Sequence, residues 1–92
     1  MALQFEWHER KAASNIKKHG ITFEEAATIF GDPLASTILD ERNFSGEVRL
    51  VTLGMSFRGR LLIVVHLEEE SRIRIISARR ATPSERRDYE NG

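Results

Sequence analysis

Residues 61–80, LLIVVHLEEESRIRIISARR, read as two strands joined by a short acidic turn. Leu61 to Leu67 is apolar except for His66. A run this apolar suits a central strand with both faces at least partly covered. Between Arg72 and Arg79, branched apolar residues mix with arginine, which suits a half-buried partner strand. With residues 68–71 as the loop, the predicted register sets Leu67 opposite Arg72, Val65 opposite Arg74 and Arg60 opposite Arg79. Arg58 and Arg80 then fall at the same end of the hairpin. Like charges facing each other on a sheet repel, and a pair about 5 Å apart costs about 0.8 kcal/mol even in water. Such a cluster persists where acidic side chains neutralise it or where a polyanion docks.

Outward from the hairpin, the segments on both sides are short. Leu3 to Trp7 reads as a first strand with Leu3, Phe5 and Trp7 on one face. A helix is expected from about His8 to Lys18, ended by Gly20. Ala12, Ala13 and Ile16 form its apolar stripe, and His8, Lys11, Asn15 and Lys18 a polar one. Thr22 to Glu25 is a capping box opening a second helix. Phe23, Ala26, Ala27 and Phe30 are its core face, and Gly31-Asp32-Pro33 stops it. Leu34 to Leu39 is a predicted strand, residues 40–46 a polar loop, and Val48 to Ser56 another strand. Gly54 in that strand marks a bulge or a close backbone approach. Phe57-Arg58-Gly59 is a tight turn. Thr82 to Glu85 is a second capping box with Pro83 at its first helical position. The helix it opens carries Tyr89 as its large apolar residue. A helix that polar is held by polar contacts or by a partner, or it frays.

The predicted order is β-α-α-β-β-β-β-α in one domain, residues 1–92. The fold class is α+β, an antiparallel sheet of four to five strands. Two N-terminal helices lie on one face, with a short C-terminal helix after the sheet.

Composition narrows the function. The 92 residues carry zero formal net charge, so a uniformly basic nucleic-acid binder is excluded. Yet 11 of the 14 basic residues are arginine, and six of these lie between Arg72 and Arg87. Arginine forks onto phosphates as lysine does not. The absence of cysteine removes thiolate catalysis and cysteine zinc sites, and is compatible with a cytoplasmic protein. His8, His19 and His66 have no metal-binding spacing, so neither a metal nor a cofactor is expected. No apolar run approaches the roughly 20 residues of a membrane span, and no signal segment opens the chain. No serine-nucleophile, Walker or dinucleotide motif is present. The remaining inventory of arginine, lysine, histidine and one tyrosine suits metal-free phosphodiester chemistry on RNA. There a 2′-hydroxyl loses a proton, the leaving 5′-oxygen gains one, and the phosphorane charge must be held. The same residues equally fit a module that binds nucleic acid or an acidic protein without chemistry.

Four stretches carry a resemblance: FEWHERKAASNIKKHGITFEEAATIF, Asp32-Pro33, RLVTLGMSFRGRLLIVVH and RIRIISARRATPSERRDYE. Their most specific parts are Trp7, Lys11, Asn15, Lys18, His19 and Gly20 in the spacing W-x-x-x-K-x-x-x-N-x-x-K-H-G, and the R-I-I-S-A-R strand ending at Arg79. Together they resemble the BrnT family of toxins from type II toxin–antitoxin systems. One departure is His8, where the family commonly has Asp. The resemblance implies a RelE-like ribonuclease fold and RNA cleavage that blocks translation. It also implies a BrnA antitoxin with a ribbon-helix-helix DNA-binding region. The assembly, two of each chain, would reach operator DNA through the antitoxin and repress its own operon. By position along the fold, Arg60, Arg79 and Arg80 would hold phosphate and Tyr89 would be the analogue of the C-terminal tyrosine of RelE-like toxins. Lys11, Lys18 and His19 are candidates from the shared pattern. His66 is either a general acid or base or a satisfied core histidine. Arg74 either lines the groove or pairs with Glu68 to Glu70. Arg58 completes the RNA-binding set.

Overall fold

A computed structural model describes residues 3–40 and 48–92. Its elements are β1 (Gln4–Glu6), α1 (Glu9–His19), α2 (Phe23–Ala27) continued by a 3-10 turn (Thr28–Gly31), β2 (Ser36–Leu39), β3 (Leu50–Met55), β4 (Leu61–Glu69), β5 (Arg72–Arg80) and α3 (Pro83–Asn91). The predicted order holds. Apart from Asp40, the loop expected over 40–46 lies outside the described residues.

The apolar run at 61–67 does occupy the middle of the sheet, whose strand order is β1-β5-β4-β3-β2. Alternation along β4 sends Leu62 and Val64 to one face, with Ile21, Phe23, Ala26 and Ile29 around α2 and Phe5, Trp7 and Ala12 packed against them. Leu61 and Ile63 point to the other face, where Leu53, Val51, Met55, Ala81 and Tyr89 gather. Gly54 lies opposite Leu62. A Cβ there would come within 3.1 Å of the Cβ atoms of Ile29 and Ala35, so its role is the close approach.

Two expectations need correction. The sheet is mixed, because β1 pairs parallel to β5 while the remaining pairs are antiparallel. The chain leaves β1 through two helices before its next strand, so no hairpin constrains β1 to run antiparallel. The predicted register also fails. Leu67 faces Arg74, Val65 faces Ser77, Ile63 faces Arg79 and Leu62 faces Arg80. The loop is shorter than expected, with Glu69 paired to Arg72 and Glu70 in the left-handed region at φ 55°. A bulge beside Val65 and His66 leaves Ile76 without an opposite number. The bulge shifts the register by an odd number of residues, which exchanges faces. Arg60 and Arg79 therefore come from the same end of the sheet on opposite sides.

Candidate functional site

The helix-covered face takes Arg60. Its Nε donates to Oε2 of Glu25 at 2.9 Å, and Nη2 donates to Oε1. Ser56 Oγ donates to the same Oε2 at 2.7 Å. Glu25 is buried, and the Arg60 guanidinium holds its carboxyl below the usual carboxylate range. Thr22 accepts from the Glu25 amide as a helix cap should. The expected return bond of a capping box is replaced, because the Glu25 side chain turns inward to Arg60. Arg58 stands beside this pair, its Nη1 3.9 Å from Glu25 Oε1, with its side chain 60% exposed.

The opposite face takes Arg79. Its Nη1 and Nη2 donate to the two oxygens of Glu85, each at 2.9 Å. Glu85 also accepts from the Thr82 amide, completing the second capping box as predicted. The arginine hydrogen bonds pull the Glu85 pKa down to about 2. Above this pair the sheet face is open. A groove of about 950 Å³ runs over Ile38, Leu39, Val51, Leu53, Ile63 and Val65, with Arg79, Glu85 and Asp88 along it. Arg80, opposite Leu62, is exposed. The Ala81 amide bonds Leu61 O at 2.9 Å, which sets the start of α3 beside the beginning of β4.

Tyr89 is tied down. Its hydroxyl donates to Asp32 Oδ2 at 2.7 Å, an oxygen that also accepts from the Met55 amide at 2.8 Å. The bond to Asp32 raises the tyrosine pKa. Burial pushes the Asp32 carboxyl up, but donors from Tyr89, Met55 and Leu34 outweigh it and leave the pKa lowered. The polar α3 is thus held by polar contacts, the first of the alternatives open for it.

Several expected site residues lie elsewhere. His66 is fully buried, with Nε2 2.7 Å from Thr52 Oγ1 and its ring edge-on to Phe30 at 4.9 Å. Burial lowers its pKa to about 4. It is a packed core histidine, and the general acid or base reading does not fit a ring sealed from solvent. Arg74 donates to Glu6 on β1 at 2.9 Å, so it serves neither the groove nor the 68–70 loop. Lys11, Lys18 and His19 are exposed on α1. Asn15, expected on the same polar stripe, turns inward. Its Nδ2 donates to Ile21 O and Ala78 O, and its Oδ1 accepts from the Ala78 amide. That clamp fixes α1 against β5.

Sequence reasoning missed Glu25, Asp32 and Glu85 as the carboxylates that hold these groups. Glu25 and Glu85 were legible only as capping residues; their further bonds to Arg60 and Arg79 depend on tertiary contact. Among the described residues no group of three or more His, Cys, Asp or Glu is arranged to hold a metal.

Fold and site define a small α+β protein with helices over one sheet face and a partly open second face bordered by arginine. A family model described as the ribonuclease toxin BrnT of type II toxin–antitoxin systems matches residues 7–85, and the chain belongs to that family. The crystal structure of the Brucella abortus ribonuclease toxin BrnT superposes with a TM-score of 0.63 at 23% identity, covering 88% of this chain and 99% of that one. At that identity the superposition speaks for the fold. No curated protein sequence matches the chain.

Proposed function

We propose that this chain is a RelE-like, metal-independent endoribonuclease that acts as the toxin of its pair and blocks translation in the cytoplasm. The observation that carries this reading is the placement of Arg79 along the open sheet-face groove, its fork closed by the Glu85 carboxylate at the same groove, with one further bond from Nη1 to Arg80 O at 3.2 Å. An RNA phosphate entering the groove would exchange with Glu85 for the two N–H donors. Arg80 and Arg58 are exposed at the same sheet end but on the helix-covered side, Arg80 opposite Leu62 and Arg58 beside Glu25, and offer phosphate contacts beyond the groove. Arg60 leaves the phosphate-holding set because buried Glu25 takes its fork, and Arg74 leaves it because its pair with Glu6 on β1 lies outside the groove. Lys11, Lys18 and His19 are exposed on α1, which covers the other sheet face, so they stand apart from the Arg79 groove. Tyr89, held neutral by Asp32, is suited to donating rather than accepting a proton.

We assign it a BrnA-type ribbon-helix-helix antitoxin that covers the groove in a 2:2 complex and carries the operator contacts. The test is cleavage of RNA by the purified chain, free of antitoxin, in excess EDTA. Cleavage that falls tenfold or more in Arg79→Ala supports the reading. A strict requirement for magnesium, or full activity in that variant, overturns it. A non-catalytic binder would hold RNA with steep salt dependence and leave it intact.

A further inference from the structure

The turn between β3 and β4 carries Phe57, a large apolar side chain that is 74% exposed. Exposed aromatics are common at floppy tips, but this tip is pinned on several sides. The Phe57 amide donates to Thr28 Oγ1 at 3.0 Å. Ser56 Oγ accepts from the amides of Arg58 and Arg60, each at 3.3 Å. Gly59 takes the left-handed conformation at φ 76° and donates to Ser56 O at 2.9 Å. The Arg60 fork on buried Glu25 anchors the far side of the turn.

The turn itself, residues 56–60, carries two arginines and no carboxylate. Glu25 is the carboxylate shared by Arg60 and Arg58, and Arg60 occupies both of its oxygens. One carboxylate between two guanidinium groups leaves one positive charge over, carried outward by Arg58. Arg80 is exposed at the same end of the sheet. A rigid aromatic face flanked by a solvent-facing guanidinium is the element that captures unpaired bases. The base stacks on the ring and its phosphate meets the cation.

We propose that Phe57 is a base-stacking residue for single-stranded RNA, with Arg58 as its phosphate partner, so that the β3–β4 turn is a positioning subsite of the toxin. The assignment rests on the ribonuclease reading above. Holding one nucleotide at the turn would seat the strand where the sheet ends, beside Arg80 and short of the groove bearing Arg79.

The experiment is equilibrium binding of a 2′-O-methylated single-stranded oligonucleotide of about ten nucleotides, within the usual site sizes of such surfaces. This probe resists cleavage, so binding is read apart from chemistry. Phe57→Leu should weaken binding about tenfold, in the range of lost base stacking. Phe57→Trp should bind at least as tightly as the parent chain, with its added fluorescence quenched by the probe. Arg58→Gln should weaken binding and lower the slope of log affinity against log salt by about one. Equal affinity in Phe57→Leu, or added fluorescence in Phe57→Trp that the probe leaves unquenched, overturns the subsite while leaving the ribonuclease reading standing, provided the parent chain binds and cleaves. A parent chain that neither binds nor cleaves RNA overturns both. Loss of antitoxin binding in Phe57→Leu with unchanged RNA affinity reassigns the turn to the protein partner and overturns the proposal.

Discussion

Arg79 and Glu85 close a two-armed ion pair across the junction of β5 and α3, each arm 2.9 Å long. The pair fastens the C-terminal helix, and it fills the guanidinium fork that the ribonuclease reading assigns to phosphate. Glu85→Gln keeps an acceptor for the Thr82 amide while removing the charge. Binding of RNA to Glu85→Gln should therefore be tighter than to the parent chain, and Arg79→Ala should bind more weakly. Fluorescence anisotropy on a labelled oligonucleotide decides this, and weaker binding by Glu85→Gln would contradict the exchange.

The same pair sets an acid limit. The folded pKa of Glu85, about 2, lies below its unfolded value near 4.5. Its contribution is thus fully present above pH 4.5 and is lost as pH falls toward 2. Both side chains are partly solvated, which reduces the expected contribution to about 1 kcal/mol. Urea melts of the parent chain and Glu85→Gln should converge as pH falls through that window.

His66 acts in a different window. Burial lowers its pKa from 6.5 to about 4, so the unfolded chain binds the proton first as the solution is acidified. The stability of the neutral, buried ring is complete above pH 6.5 and declines as pH falls toward 4. Between pH 6.5 and 5, before the carboxylates titrate, the loss should be about 1.5–2 kcal/mol. His66→Gln should flatten that part of the urea-midpoint profile. It should also leave the pH dependence of RNA cleavage unchanged, and an altered cleavage profile would return the histidine to the chemistry.

Glu25 and Arg60 form the pair nearest the core. Removing one partner of a buried ion pair leaves the other uncompensated and typically costs about 3–5 kcal/mol. The Arg60 side chain retains 20% exposure. Water then partly compensates a lone guanidinium, so Glu25→Ala should lose about 3 kcal/mol. Arg60→Ala should lose at least as much, because it strands the carboxylate. A double-mutant cycle by urea denaturation should show coupling; additive losses would refute the pairing.

Asn15 satisfies three backbone groups at once, from Ile21 and both sides of Ala78. Asn15→Ala leaves buried donors and acceptors unpaired, an expected loss of about 2–3 kcal/mol. Asn15→Asp should be worse than Ala, because a carboxylate would face two carbonyl oxygens. Thermal melts rank the two variants.

Local order was readable from the chain. Thr82, Pro83 and Glu85 specify a helix start through bonds spanning only a few residues, and they form as read. Gly20 ends α1 in the left-handed conformation for the same reason. The apolar run at 61–67, broken only by His66, implied a central strand because hydrophobic burial is a property of the run itself. The family was legible too, through the Trp7 to Gly20 spacing. The site was much less so. A single extra residue, Ile76, reversed the side on which Arg79 emerges relative to Arg60, and no residue of β4 or β5 announces that bulge. Which carboxylate meets which guanidinium depended on distant chain segments, Glu6 with Arg74 over 68 residues and Glu25 with Arg60 over 35. Tyr89 and Asp32 meet over 57 residues. Nearest-neighbour chemistry sets caps, turns and apolar periodicity. The partners of the arginines, the burial of His66 and Asn15, and the open groove arise only when both sheet faces have been covered or left bare, and that outcome belongs to the packed molecule.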